Sequence, residues 1–282
     1  MPKRDGERAE IWSYRLTMMR TLPPKFLTAM IAVRALPGAP LYDGDDDRII
    51  SQAISDLEIY KGAAVDSVSL ENCHDLPYIQ PPIPDEALRV LTAVAHEIRT
   101  RFDKPIGIQI LEAANEEALE VACRADLDYL RVEGYCFAHV GGAGIIQGSA
   151  GRLLRLRKKL GCEDIKVFAD VKKKHCAHAL TGDLDLTEVI KQTELFMADG
   201  IIITGPFTGV EPEVEDLEKA NKATGLPILI GSGMTAENVS RYYPLADGFV
   251  VGSTFRKHGK YLEELDPERL AGFMNVFDRL RP

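Results

Sequence analysis

The sequence predicts an α/β fold: a single (β/α)8 barrel preceded by a short N-terminal extension. Three observations predict it. After residue 26, eight short β-branched apolar runs recur, each followed by a stretch with helical periodicity. The eight units are of similar length, and together they span roughly the ~250 residues of one such barrel. No GxGxxG follows the first run, which argues against an open dinucleotide-binding sheet, and no change of composition divides the chain. Residues 27–282 therefore read as one barrel and residues 1–26 as an extension.

Taken in order, the strands are expected at 29–34, 65–71, 106–111, 128–133, 166–172, 200–205, 227–233 and 247–253. Helices are expected near 45–62, 84–102, 115–125, 151–160, 185–198, 213–224, 235–243 and 267–280. Pro105 and Pro227 introduce strands, because proline cannot continue the preceding helix. Thr235 with Asn238 is expected to cap a short helix, and Asp266-Pro267 opens the last one with proline at its first position. The extension carries Lys3, Arg4, Arg8, Arg15, Arg20 and Lys25 against three acids, with the single tryptophan, Trp12. It has no apolar core of a secretory signal, and Asp5, Glu7 and Glu10 are unusual for a matrix-targeting segment, so it reads as a packed arm.

The 282 residues are 45% hydrophobic and 27% charged, which excludes a wholly disordered or low-complexity chain. No apolar run approaches the ~20 residues of a transmembrane helix. A net charge of −9 disfavours a broad nucleic-acid surface, which needs clustered positive charge. It leaves room for a small anion held by a local nest of amides. Cys73, Cys123, Cys136, Cys162 and Cys176 are odd in number with no CxxC pair, which suggests a reduced compartment rather than a disulfide framework or zinc site. The expected location is cytoplasmic, with an organellar matrix as the alternative, and a homo-oligomer is possible.

Side chains at i and i+2 of a strand share a face, so polar residues at matching parity point to the barrel interior. That parity selects Ser67, Ser69 and Glu71, then Gln109, then Arg131 and Glu133, then Asp170 and Lys172, and then Thr204. Catalytic groups in such barrels come from the C-terminal ends of several strands, which makes Glu71, Arg131, Glu133, Asp170, Lys172 and the following His175 the candidate catalytic set. His178 is a second acid/base candidate. The competing reading is a salt-bridge plug closing the barrel top, since buried charges must be paired. Lys172 beside Asp170 would stay charged as an electrophile; without that partner it would be a base or Schiff-base nucleophile. Glu71, Asn72, His74 and Asp75 could hold a divalent ion, but their spacing is no metal signature, so no cofactor is assigned.

The last two strands carry a second signal. ILIGSGMTAEN (228–238) and GFVVGSTF (248–255) each run from a strand into a Gly-Ser turn, where barrels commonly hold phosphate. The candidate phosphate-binding residues are Gly231, Ser232, Gly233, Gly252 and Ser253, with Thr204 and Gly205 from TGPFTG (204–209). The glycine-rich loop YCFAHVGGAGIIQGSAG (135–151) is either a lid or part of the pocket wall.

ALPGAP, LENCHDLPY, IGIQILEAANEEAL, YLRVEG, ADVKKKH, ITGPFTG, LIGSGMTAENV and DGFVVGSTFRKHG, in that order, resemble the BtpA/SgcQ family over residues 27–280. The resemblance implies a ribulose-phosphate-binding barrel, with no one reaction attached to it. The family takes its name from a cyanobacterial factor needed for accumulation of photosystem I reaction-centre proteins. One departure stands out: where the family's first strand commonly ends in His before LPG, this chain has Ala32, with Arg34 nearby. Two functions follow as expectations. The first is an isomerase, lyase or hydrolase acting on a small phosphorylated metabolite, such as a sugar phosphate or nucleotide-like compound, by acid/base or lysine chemistry. The alternative is a non-catalytic factor for the biogenesis or stability of a membrane complex such as photosystem I.

Overall fold

A computed structural model describes residues 22–281. Trp12 and most of the expected N-terminal arm lie outside the described residues. The first strand, β1 (Phe26–Ala32), starts earlier than its apolar run suggests, because Phe26 is part of the barrel floor. There follow α1 (Asp46–Gly62), β2 (Ser67–Glu71), α2 (Asp85–Arg101), β3 (Ile106–Gln109), α3 (Asn115–Ala125) and β4 (Tyr129–Val132). A hairpin, β5 (His139–Gly141) and β6 (Gly144–Ile146), interrupts the alternation before α4 (Ala150–Leu160). The chain then runs through β7 (Lys166–Asp170), α5 (Leu186–Leu195), β8 (Gly200–Ile203), α6 (Val214–Ala223), β9 (Ile228–Ile230), α7 (Val239–Tyr242), β10 (Gly248–Val251) and α8 (Pro267–Leu280). The sheet order β1-β10-β9-β8-β7-β4-β3-β2 closes on itself with parallel neighbours, a (β/α)8 barrel as the sequence predicts.

A repeated device fixes the strand starts. The carboxylate of Asp66, just before β2, accepts the Leu27 amide of β1 at 2.8 Å. Asp128 does the same for Ile106 of β3 (2.8 Å), Asp199 for Val167 of β7 (3.0 Å) and Asp247 for Ile228 of β9 (2.9 Å). In barrel order, each even strand is thus preceded by an aspartate that clips the start of its odd neighbour. Charge-assisted bonds of this kind satisfy amides left over where the ladder begins. Arg99 and Arg157 in turn pair with Asp128 and Asp199, each at 2.9 Å.

Packing closes the same end. Phe26, Tyr129, Phe168, Ile202 and Leu229 fill the floor, with Tyr129 and Phe168 edge-on at 5.4 Å. The large rings fit because glycines face them: a Cβ on Gly107 would lie 2.1 Å from the Tyr129 ring, and one on Gly200 2.5 Å from Phe168. The Tyr129 hydroxyl is shared with Ser67 Oγ (2.8 Å) and Thr28 Oγ1 (3.1 Å), so the one polar tip among these rings is satisfied. With the floor sealed, open space is left to the C-terminal mouth.

Two expectations need correction. Cys123 on α3 and Cys162 after α4 form a disulfide, because the side-by-side packing of these helices brings their Cα atoms within 6.1 Å; the cysteines are not all reduced. The helix expected from 235 starts only at Val239. Asn238 spends its side chain on the preceding turn, accepting the Thr235 amide (2.8 Å) and donating to the Gly233 carbonyl (2.9 Å), so it caps no helix, and no helix N-terminus adjoins Gly231 and Gly233. The Asp266-Pro267 start, by contrast, is as expected, with Asp266 accepting the Glu268 and Arg269 amides. Of the two readings of residues 135–151, the structure has the pocket wall, with Gly142 in the cavity lining. Glu112 accepts the Ala143 amide (2.7 Å) and Gln80 donates to the Ala143 carbonyl (2.8 Å), pinning the hairpin as a wall. Among the described residues no helix is long and apolar enough to cross a membrane.

Gly107 sits in a strand, so replacing it with alanine tests sterics alone. Gly107→Ala should cost about 1–3 kcal/mol in urea unfolding. Combined with Tyr129→Leu, it should cost less than the sum of the two single changes.

Candidate active site

The C-terminal mouth holds a cavity of about 280 Å³ lined from all sides of the barrel. Its deepest charge is Arg131, at the end of β4. Burial opposes the guanidinium charge, but two acids outweigh it and raise its pKa: Asp170 of β7 and Glu71 of β2. Asp170 takes Nε at 2.9 Å and Nη2 at 3.1 Å, a bidentate pair; Glu71 takes Nη1 at 3.4 Å. Nη1 also approaches the Gly231 carbonyl at 3.4 Å. One side chain therefore ties four strands together.

A second charged group sits beside it. Lys173 Nζ lies 2.9 Å from Glu133 and 3.1 Å from Glu112. Gln109 Nε2 (2.7 Å) and the Ala113 amide (3.1 Å) complete the shell of Glu133. Burial pushes the Glu133 pKa up, against the pull of Lys173; burial works against the Lys173 charge too, but its two acids raise its pKa. Glu112, also opposed by burial, is held below the usual range by the Ala143 amide and Lys173.

The third cation is different. Lys174 lines the cavity, yet among the described residues it makes no hydrogen bond or ion pair. Burial, reinforced by the nearby Arg131 charge, brings its pKa down to about 8. His175, exposed at the rim, meets Thr208 through Nε2, 2.8 Å from Oγ1 and 3.1 Å from the amide nitrogen; burial and the lysines lower its pKa.

Strand parity therefore places Glu71, Gln109, Arg131, Glu133 and Asp170 in one polar layer. It misplaces Lys172. The strand ends at Asp170, the backbone turns left-handed at Lys172 (φ 49°), and the side chain goes outward to donate to the Leu184 carbonyl at 3.1 Å. The next two lysines of the same KKK run enter instead. His178 is turned away from this cavity, its ring at the Lys173 carbonyl (2.9 Å) and beside His139. Asn72 and Asp75 are engaged by the backbone: Asn72 clips Leu111 through both backbone atoms and Asp75 accepts the Leu36 amide. Among the described residues no group of three or more His, Cys, Asp or Glu side chains is placed to hold a metal. Sequence reading missed Glu112, Lys173, Lys174, Cys73, Tyr78 and Tyr261, all cavity-lining residues beyond strand ends or in neighbouring loops. The KKK run was the one visible signal for two of them.

The ends of β9 and β10 add Gly231, which touches Arg131, and then Ser232, Gly233, Gly252, Ser253 and Thr254. Several of these glycines are demanded by packing. A Cβ on Gly233 (φ +84°) would meet the Val210 and Glu211 backbone at 2.4 Å, and one on Gly252 would meet Met30 Cε at 2.5 Å. Ser232 Oγ is buried and has no partner, a polar atom awaiting one. Thr204 adjoins this part of the lining, its methyl 2.9 Å from where a Cβ on Gly231 would be and its buried Oγ1 without a partner, and Gly205 packs on the same Val210–Glu211 backbone as Gly233. They border a shallower groove with Pro206 and Phe207, and Gly205 is needed because the Val210 and Glu211 carbonyls pass within 2.5 Å of where its Cβ would be.

The BtpA family model matches residues 24–279, the whole barrel. The chain belongs to the BtpA family. A mitochondrial protein of Caenorhabditis elegans is 38% identical over 89% of this chain and 92% of its own. Photosystem I biogenesis protein BtpA of Synechocystis is 31% identical over 86% and 84%. The fold is also that of phosphoribosyl anthranilate isomerase from Thermus thermophilus (TM-score 0.57, 12% identity, 91% of this chain and 100% of that one) and of Mycobacterium tuberculosis tryptophan synthase (0.60, 10%, 99% and 98%). Within the BtpA family, this member has Ala32 buried with Met30 and Cys73 at the top of β1.

The Lys174 environment has a stability signature. Its folded pKa lies below the ordinary lysine value, so the folded state resists the proton. Stability is complete above about pH 10.5 and falls as pH drops through about 8. Lys174→Met should therefore gain on the order of 2 kcal/mol over wild type near neutral pH, with the gain shrinking toward pH 10.5, in urea titrations across that range.

Proposed function

We propose that this chain is an enzyme acting on a small phosphorylated metabolite by acid/base or lysine chemistry. The observation that carries the reading is the two-part cavity lining. One part of the lining, at the ends of β9 and β10, offers the unpartnered Ser232 hydroxyl beside Gly233, Gly252 and Ser253. The rest of the lining offers Glu71, Arg131, Glu133, Lys174 and His175, with Asp170 behind Arg131 as its bidentate partner. The division suits a substrate with a phosphate at one end and the reacting carbon at the other.

The phosphate would sit against Gly231, Ser232, Gly233, Gly252 and Ser253, with the Ser232 and Ser253 hydroxyls and the amides beyond Gly231, whose own N–H is spent on the Ile203 carbonyl, to meet its oxygens. Binding there supplies energy remote from the reacting bond and positions it. Arg131, with its charge secured by Asp170 and Glu71, acts as a fixed positive centre that polarises an oxygen rather than moving protons. Glu133, whose pKa burial raises against the pull of Lys173, and His175, whose pKa burial lowers, supply the proton-transfer pair. Phosphoribosyl anthranilate isomerase and N-acetylmannosamine-6-phosphate 2-epimerase, both of this fold, are named for phosphorylated substrates, which is in keeping with this reading. A scaffold role in assembling a membrane complex, as the name of the Synechocystis relative suggests, gives no use to three cations and three acids lining one cavity.

Thermal denaturation with ribose 5-phosphate, dihydroxyacetone phosphate and nucleoside monophosphates tests the proposal against their unphosphorylated counterparts. A ligand at ~100 times its Kd should add about 2.7 kcal/mol. Ser232→Ala should leave stability unchanged without ligand, since the hydroxyl makes no bond, and weaken phosphate binding about tenfold or more. No stabilisation by any phosphorylated compound at millimolar concentration would refute it.

A further inference from the structure

Three amino or guanidinium groups enter the cavity, and two are committed. Arg131 is held by Asp170 and Glu71, and Lys173 lies between Glu133 and Glu112. Each is locked as a cation. Lys174 alone of these reaches the cavity without a carboxylate or carbonyl partner among the described residues. A lysine with no salt bridge, enclosed beside another cation, is the setting in which an amine acts as a nucleophile rather than a charge.

We propose that Lys174 is an imine-forming residue: its Nζ condenses with the carbonyl carbon of an aldose or ketose phosphate whose phosphate lies at Ser232, Gly233 and Ser253. This rests on the phosphate reading above. The neutral amine's lone pair forms the C–N bond as the carbonyl π electrons move to oxygen. A proton passes from nitrogen to that oxygen, giving the carbinolamine. The C–O bond then breaks, the oxygen leaves as water after receiving a proton, and nitrogen and carbon share the double bond of a protonated imine. No oxidant or reductant is needed. Glu71 is placed to carry the proton. One of its oxygens meets Arg131 at 3.4 Å, and the other has only the Cys73 thiol, at 3.8 Å. The cationic nitrogen then withdraws electrons from the adjacent carbon, which eases loss of a proton or a carbon substituent there. The lowered pKa of Lys174 supports the assignment. Near neutral pH it gives this amine on the order of a hundredfold more of the neutral form than an ordinary lysine has.

The full-length protein is incubated with dihydroxyacetone phosphate, glyceraldehyde 3-phosphate or ribose 5-phosphate, reduced with cyanoborohydride, digested and mapped by mass spectrometry. The expected result is a reduced adduct concentrated at Lys174, formed on the order of a hundredfold faster than on surface lysines. Lys174→Met should lose it, and Lys174→Arg should lose it while keeping the thermal stabilisation by the same phosphates. Stabilisation with no adduct, or with adducts spread evenly over surface lysines, overturns the imine proposal and leaves the phosphate reading standing. An adduct at Lys174 that forms equally fast from unphosphorylated glyceraldehyde, with no stabilisation by any phosphate, overturns both. Mapping on the wild-type protein keeps the test decisive even if Lys174→Met fails to fold.

Discussion

The Arg131 side chain is the constraint on which the mouth of this barrel depends. A guanidinium buried to 6% exposure is costly unless every strong donor finds an acceptor, and here Asp170, Glu71 and the Gly231 carbonyl supply them from three other strands. The arrangement has two consequences. The ends of β2, β4, β7 and β9 are fixed relative to one another, so groups attached just beyond them stand at set positions. The ion pairs of these two carboxylates also go to Arg131, and Lys174 forms none with them. The lowered pKa of that lysine follows from its burial and from the Arg131 charge beside it.

The interior residues were legible because strand alternation is a covalent fact. Glu71, Gln109, Arg131, Glu133 and Asp170 could be placed inward from parity alone, as could the barrel from its eight repeats. Parity stops where the strand stops. Asp170 is the last residue of β7, and a left-handed turn at Lys172 reverses the expected face, sending Lys172 to solvent and Lys173 and Lys174 inward. No rule of spacing distinguishes three consecutive lysines once the backbone leaves the extended region. Glu112 was hidden for a related reason: its role comes from pairing with Lys173 and the hairpin amides, contacts between loops far apart in sequence. The Cys123–Cys162 bridge belongs to the same class, since 39 residues separate two cysteines that only helix packing brings together.

The aspartates before the even strands were in plain view in the sequence, yet periodicity has no reason to single them out. Asp66, Asp128, Asp199 and Asp247 each precede an apolar run, where a charge looks like an ordinary loop residue. Their function shows only across the sheet, where each accepts a neighbouring strand's amide. They organise the barrel as four pairs of βα units, each pair fastened at its base. Stability is thereby concentrated at the floor, together with the aromatic rings, and the opposite rim is left to carry polar groups that contribute little to holding the fold.

The glycines of the mouth show how a binding motif and a packing motif can share residues. Gly233 and Gly252 would be required with no ligand at all, because the Val210 and Glu211 backbone and the Met30 side chain occupy the space of their Cβ atoms. Their presence in the sequence is therefore weaker support for an anion than the Gly-Ser pattern suggests. What the packing does not require is Ser232. Its hydroxyl is buried without a partner, and alanine would have filled the same volume at no polar cost. An atom that the fold leaves unsatisfied at the edge of a cavity lined with charge is better evidence for a ligand than any glycine beside it.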